Sequence, residues 1–373
     1  MGLKDIHVTL FFTKGISLRT WDEIGMLDRE VALYRHLQAR GVNVTFVTYG
    51  NARDLCYADR ITGIRILANR WCLKPKLYRS LLPILHGPFL ARASVYKTNQ
   101  MDGADIALNA ARLWRKPLVA RCGYMWSEFI ANQYGKGSTK ARNARKQEEV
   151  IFNAAKRIVV TTPSMQKDVM RRVPGAANRA VVIPNYVDTN RFHPMRENPG
   201  EDEIIFVGRL STQKNVAALL EAVQSLNVKI TLIGDGELKA PLKHRFGTLN
   251  GRLRWQGNVP NSELPVHLNR ASLFILPSHY EGHPKALMEA MACGLPVIGA
   301  DSPGIREIVR HGETGWLCRT DPKSIRKAIQ ELLALPEMRA ELGRQARHFI
   351  KEQFSLDRVV DMELALLREI TVS

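Results

Sequence analysis

The stretch "SLFILPSHYEGHPKALMEAMACGLPVIGA", Ser272 to Ala300, holds the alternation that decides the fold. Its first seven residues form a short, nearly continuous apolar run, the mark of a strand buried on both faces, and Pro296–Ala300 reads the same way. Between them Pro284 suits a first helical turn, Ala286, Leu287, Ala290 and Met291 share one helical face, and Gly294 suits a C-terminal stop. Strand, loop, helix, strand is the repeating unit of a doubly wound parallel sheet.

In such a unit the helix opens at the carboxyl edge of the sheet, where the N–H groups of Lys285 to Leu287 make an anion site. Helix side chains lean toward the N-terminus, so Glu289 reaches up beside that opening while Glu281 stands at its rim. Carboxylates facing a phosphate would repel it, whereas hydroxyls on either side of the phosphate suit them as hydrogen-bond donors. Hydroxyls, phosphate and hydroxyls again describe a nucleotide sugar. The same residues equally suit a glutamate complementing the helix dipole and a Lys285–Glu289 surface pair.

The alternation extends over the whole chain. "IHVTLFF", "NVTFVTY", "ASVYKTN" and "PLVARCG" are strand candidates in the first half, with "DEIGMLDREVALYRHLQARG" as a helix ended by Gly41. "EIIFVG", "KITLIG", "LRWQG" and the two runs above alternate in the second half with helical stretches such as "VAALLEAVQSL". Late helices are expected over about Pro322–Leu333, Met338–Glu352 and Leu356–Ile370. At 373 residues the chain is comfortable for two domains. The expected fold is α/β, two Rossmann-like doubly wound domains facing a cleft.

Hydrophobic content of 45% with 24% charged residues is ordinary for a soluble globular protein. Five cysteines without metal-motif spacing argue against a disulfide framework and fit a reducing cytoplasm. The apolar part of "MGLKDIHVTLFF" is too short for a signal core or a span, and Ile6 stands where myristoylation at Gly2 wants Ser or Thr. The net charge of +18 implies an anionic partner, and it is one-sided. Residues 1–185 hold 30 Lys+Arg against 13 Asp+Glu, the remainder 24 against 23. A boundary near 185 follows, with "VVIPNYVDTNRFHP" as a strand end and a hinging linker. The expected domains are 1–185 and 186–373, the last helix, about 356–370, packing back on the first.

Two further stretches point to phosphate. "FVGRLSTQKN" puts Gly208, Arg209 and Lys214 in a loop after a buried strand, two cations that match a diphosphate. "LIGDGEL" offers Gly234 and Gly236, without the third glycine of a dinucleotide fingerprint.

"FVGRLSTQKN", "LIGDGEL", "WQGNVP", "HYEGHPKALMEAMACGLPVIGAD" and "GIREIVRHGETGWL" occur in the order and spacing of the retaining glycosyltransferases of family 4, which the chain resembles throughout its second half. "IPNYVDTNRFHP" resembles that family's interdomain segment. The resemblance implies a GT-B fold with a donor nucleotide sugar held mainly by the second domain and the acceptor by the first. It implies that Gly208, Arg209 and Lys214 meet the diphosphate, Glu281 the transferred sugar and Glu289 the ribose. The backbone around Gly282, His283, Pro284, Lys285 and Ala286 would face sugar and phosphate, and Val259 would meet the base through its main chain. His283 stands where an aromatic or aliphatic residue is common and is expected at the rim.

The first half departs from the family pattern. A double glycine is common after strand one, whereas "FFTKGISLRTWDE" offers Gly15 alone for approach to the donor phosphate. "VARCGYMWSEF" replaces a histidine-containing loop, leaving Arg121 and Tyr124 as cleft candidates. No Asp-x-Asp motif occurs, so the expectation is transfer with retention, without an essential metal or cofactor, the leaving diphosphate taking the acceptor proton while Arg209, Lys214 and the helix start stabilise its charge.

A UDP-sugar is the favoured donor, and a glycan or lipid-linked hydroxyl in cell-surface polysaccharide or glycolipid assembly the expected acceptor. Between Trp71 and Arg92 apolar residues interleave with Lys74, Lys76, Arg79 and Arg92, and "KGSTKARNARK" adds five cations without an acid. Both suit an anionic membrane surface, and hence a cytoplasmic enzyme on the inner face of the membrane. The alternatives are a GT-B sugar-nucleotide epimerase or hydrolase and, from charge alone, a nucleic-acid-binding protein, for which no recognition motif is present. Nothing in the sequence sets the oligomeric state.

Overall fold

The computed structural model describes residues 2–195 and 203–372. The chain divides into two compact units, one formed by residues up to Pro184 together with those from Val359 on, the other by Asn185 to Arg358.

The first unit holds a wholly parallel sheet of β1 (His7–Phe11), β2 (Asn43–Asn51), β3 (Arg65–Asn69), β4 (Val95–Thr98), β5 (Leu118–Cys122), β6 (Arg157–Val160) and β7 (Ala180–Val182), in the order β3-β2-β1-β4-β5-β6-β7. The second holds β8 (Glu203–Val207), β9 (Lys229–Ile233), β10 (Leu253–Gly257), β11 (Leu273–Leu276), β12 (Val297–Ala300) and β13 (Trp316–Cys318), also parallel, in the order β10-β9-β8-β11-β12-β13. Helices cover both faces of such sheets, which is why the central strands are buried throughout: β4 and β11 have no exposed residue. In each sheet the strand order reverses once, at β1/β4 and at β8/β11, and ligands of open α/β sheets bind beyond the carboxyl ends at that reversal.

Three strands escape the sequence reading: β3, β6 and β13 run three to five residues, β3 and β6 beginning on an arginine, whereas β7 is the strand end read at Val181. The helix expected over residues 22–41 is two, Leu18–Glu23 and Leu27–Ala39, because Gly25 at φ 72° breaks the run. The stretch after Pro184 is no slack linker. Asn185 Nδ2 donates to the His283 carbonyl at 2.8 Å, Val187 bridges to Ser355, and Phe192 is buried, so the segment is bound into the second unit by its own polar and apolar contacts.

The helix Leu356–Val372 enters the first unit at Val359 and presents three carboxylates to it. Asp361 pairs with Arg40, Glu363 with Lys97 on β4, and Glu369 with Arg157. Lys97 and Glu363 are 2% and 1% exposed, their charged atoms 2.5 Å apart. Burial pulls the Lys97 ammonium below the usual lysine range, and Glu363 pulls it back up.

Candidate active site

The loops after β8 and β11, neighbours at the reversal of the second sheet, are joined by side-chain and backbone hydrogen bonds. Gln213 Nε2 donates to the Tyr280 carbonyl at 2.8 Å, and His279 N to the Gln213 carbonyl at 2.9 Å. Asn215, in the left-handed region at φ 54°, reaches the Pro277 and Thr320 carbonyls at 3.2 and 2.8 Å. Lys214 is thereby set with its Nζ 2.6 Å from Glu281 Oε1, the two side chains 18% and 7% exposed. Glu281 is held from behind by its own N–H on the Pro303 carbonyl at 2.9 Å. Only glycine permits that seat, since a Cβ on Gly304, at φ 82°, would lie 2.3 Å from the Glu281 carbonyl oxygen.

Gly234 and Gly236 also have a packing role. A Cβ on Gly234 would stand 2.1 Å from the Gly208 carbonyl oxygen, and one on Gly236 2.4 Å from that of Leu210. The bare turn after β9 lies directly against the Gly208–Leu210 loop, with Leu210 N on the Asp235 carbonyl at 2.9 Å. Arg209 projects from this loop, 73% exposed, its Nε 3.3 Å from Glu237 Oε2.

The helix Lys285–Ala292 begins beside these loops. Pro284 is its N-cap, at ψ 103°, rather than its first helical residue, and offers no capping side chain. Glu289 is 1% exposed and so does not lie on a solvated face of its helix. Its Oε1 accepts from Asn261 Nδ2 at 2.9 Å, and its charge adds to burial in pushing the Cys293 thiol up to about 12. Asn261 was not evident in the sequence, although it lies two residues after Val259 in the turn following β10. Val259 is partly buried against the core. His283 is not a rim residue: it is buried, its ring centroid 5.1 Å from that of Phe354. Gly282 and Ala286 are partly exposed, and the Lys285 ammonium stands 5.8 Å from the Tyr186 ring centroid.

In the first unit the corresponding helix starts carry carboxylates of the chain itself. Asp54, 1% exposed, accepts from Leu18 N and Arg19 N at 3.1 and 3.3 Å, opening the helix that follows β1. Glu148 accepts from Ser127 N at 3.0 Å and Ser127 Oγ at 2.5 Å, at the start of the helix Trp126–Tyr134 after β5, with Arg172 beside it. An internal carboxylate takes the place that an anionic ligand would need. Neither residue could be assigned this role from sequence, because each reaches its helix from a distant segment. Gly15 is a left-handed turn at φ 77° with open space around its Cα. Arg121 lies within β5, its N–H on Thr98 Oγ1 at 2.9 Å, and Tyr124 follows in the turn, its phenol pushed up to about 12 by burial and the nearby Asp102 charge.

The model described as Glycosyltransferase Family 4 matches residues 31–191, and that described as Glycosyl transferases group 1 matches 188–349. The chain belongs to the group 1 glycosyltransferases of family 4. Within this family it is 26% identical over 254 residues to the alpha-maltose-1-phosphate synthase of Mycolicibacterium smegmatis, covering 60% of this chain and 66% of that one. It is 36% identical over 143 residues to the amylovoran biosynthesis glycosyltransferase AmsK of Erwinia amylovora, covering 35% and 34%. The chain thus spans between a third and two thirds of the length of these curated relatives. Among solved structures it resembles HepE from Anabaena, solved with UDP and glucose, at a TM-score of 0.78 and 17% identity over 97% of this chain and 99% of that one. A family 4 glycosyltransferase with this likeness has the two-domain GT-B fold.

Proposed function

We propose that the protein transfers a sugar from a nucleotide-diphosphate sugar, with retention, to a hydroxyl of a glycan or lipid-linked acceptor. The Lys214–Glu281 pair beside the start of the helix Lys285–Ala292 carries this reading. An ammonium suited to phosphate and a carboxylate suited to sugar hydroxyls stand side by side at one sheet reversal, while the buried, amide-held Glu289 suits the ribose. Arg209 adds a second cation from an exposed position. The bound UDP and glucose of HepE favour a UDP-sugar donor. The reaction has the leaving diphosphate accept the acceptor proton, with Arg209 and Lys214 stabilising the departing charge. These cations neutralise the diphosphate, so turnover is expected to be unchanged by EDTA; a loss restored by a divalent cation would end the metal-independent mechanism. Screening UDP- and GDP-sugars against extracted lipid-linked oligosaccharides, with the anomeric configuration read by NMR, tests the rest. Consumption of donor at one rate with and without acceptor would instead establish the epimerase or hydrolase.

The acceptor side is proposed to work at an anionic membrane surface, from the cytoplasmic face. On the helix Pro75–Leu85, Tyr78 and Leu82 are buried while Leu77 and Ile84, seven residues apart on one face, are 48% and 66% exposed beside the exposed Lys74 and Lys76. Lys136, Lys140, Arg142, Arg145 and Lys146 are all exposed as well. Among the described residues no helix is long and apolar enough to cross a membrane. Sedimentation with anionic vesicles is expected at low salt and should weaken at high salt, whereas neutral vesicles should bind little. Equal failure with both at low salt would remove the membrane claim and leave the donor site untouched.

A further inference from the structure

A cavity of about 670 Å³ opens at the amino ends of β1, β2 and β3, which begin on His7, Asn43 and Arg65, three of its lining residues. Ligands of such sheets gather beyond the carboxyl ends, and the five residues of β1, at about 3.3 Å each, put this cavity roughly 16 Å from that edge. One face of the sheet forms its floor. Thr45 stands in register with Arg65, and His7 pairs with Asn43, two residues before Thr45, so His7, Thr45 and Arg65 point to the same side. His7 Nε2 lies 2.7 Å from Thr45 Oγ1. The short helix Gly87–Leu90 and the residues after it form the wall. The Arg65 guanidinium carbon lies 4.7 Å from the Phe89 ring centroid, and Arg92 N donates to the Phe89 carbonyl at 3.3 Å. Ser94 ties this wall to β1, its N donating to the His7 carbonyl at 2.8 Å and its Oγ accepting from His7 N at 3.0 Å.

Arg65 and Arg92 are exposed in this cavity, and among the described residues neither guanidinium has a hydrogen bond or a carboxylate partner. None of the described residues lining the cavity is acidic. Asp5, two positions before His7, turns its carboxylate to Gly2 N at 2.8 Å. Burial, then Arg65 and Lys116, push the His7 imidazole below its usual range, with no acid opposing them. Leu55, Ile66 and Phe89 add apolar area that is only partly covered. Cations that merely confer solubility have no reason to gather, unpaired, on a concave site with an apolar wall. A guanidinium forks onto phosphate oxygens, and a cavity of this size suits a small molecule. The arrangement matches a phosphate carried on an apolar ring or chain better than a phosphate alone.

We propose that this cavity binds a phosphomonoester with an apolar organic part, Arg65 and Arg92 holding the phosphate and Phe89 flanking the remainder. The site is separate from the donor site and does not depend on the transferase reading. Soluble metabolites and lipid headgroups both carry such a group, and Phe89 follows shortly after the helix Pro75–Leu85 proposed to meet the membrane. The test uses the full chain at physiological salt, with saturating UDP to occupy the donor site and phenyl phosphate and phenol as probes in saturation-transfer NMR titrations. Phenyl phosphate should bind about ten-fold more tightly than phenol. Arg65→Gln and Arg92→Gln should each weaken it about ten-fold, leaving UDP affinity and the melting temperature unchanged. No binding of phenyl phosphate, equal affinity for phenol, or unaltered affinity in the double variant would overturn the site. Phosphatidylcholine vesicles containing phosphatidic acid then identify the source: displacement of phenyl phosphate assigns the cavity to a lipid headgroup, and retention of the probe assigns it to a soluble phosphomonoester.

Discussion

Glu281→Ala is expected to lower sugar transfer by about ten- to a hundred-fold while leaving nucleoside diphosphate binding intact or tighter. The carboxylate is assigned to hydroxyls of the transferred sugar, and one charge-assisted hydrogen bond contributes about 1.5–3 kcal/mol. At about 1.4 kcal/mol per factor of ten, its loss gives a fall of that size if the contact strengthens in the transition state. In the unliganded chain the same carboxylate holds Lys214 at 2.6 Å, so removing it frees an ammonium for phosphate. Lys214→Ala differs: diphosphate affinity and turnover should fall together. Calorimetry with UDP beside turnover assays separates the two, and a parallel loss of both quantities in Glu281→Ala would refute its assignment to the sugar. Glu289→Ala, which also strips Asn261 of its carboxylate partner, should weaken the nucleotide itself.

Much of this site was legible because its logic is local. The strand, loop, helix and strand from Ser272 to Ala300 sit where the apolar runs, Pro284 and Gly294 put them, and Glu289 is buried because its helix is enclosed on every side from Leu287 to Ala292. What escaped is non-local. The partner of Lys214 lies 67 residues away, and the amide that holds Glu289 lies 28 away. No periodicity announces that Asp54 and Glu148 close helix starts in one unit, or that Gly234 and Gly236 are bare because another loop needs the space. His283 was misplaced for the same reason: its exposure is decided by Phe354, 71 positions later.

Glu363→Ala is expected to destabilise the first unit by about 3–5 kcal/mol, the usual consequence of leaving one member of a buried ion pair alone. Lys97 stands in the middle of β4, 2% exposed, and Glu363 is the carboxylate that neutralises it. For a unit of this size the melting transition assigned to it should fall by roughly 10 °C. The double replacement Lys97→Met with Glu363→Leu removes both charges and should recover most of that loss. Thermal unfolding of the three proteins decides the matter: a double variant as unstable as the single one would show that the helix is held by its apolar contacts rather than by the charge.

The return of the helix Leu356–Val372 to the first unit also sets an order of events during biosynthesis. At about 5–20 residues per second, the ribosome needs roughly 10–40 s to move from Pro184 to Glu363. Throughout that interval the seven strands of the first sheet exist as nascent chain with Lys97 still lacking its counter-charge, while every residue of the second unit is being made. A message truncated after codon 358 would therefore release a polypeptide whose later-made unit is complete and whose earlier-made unit is not.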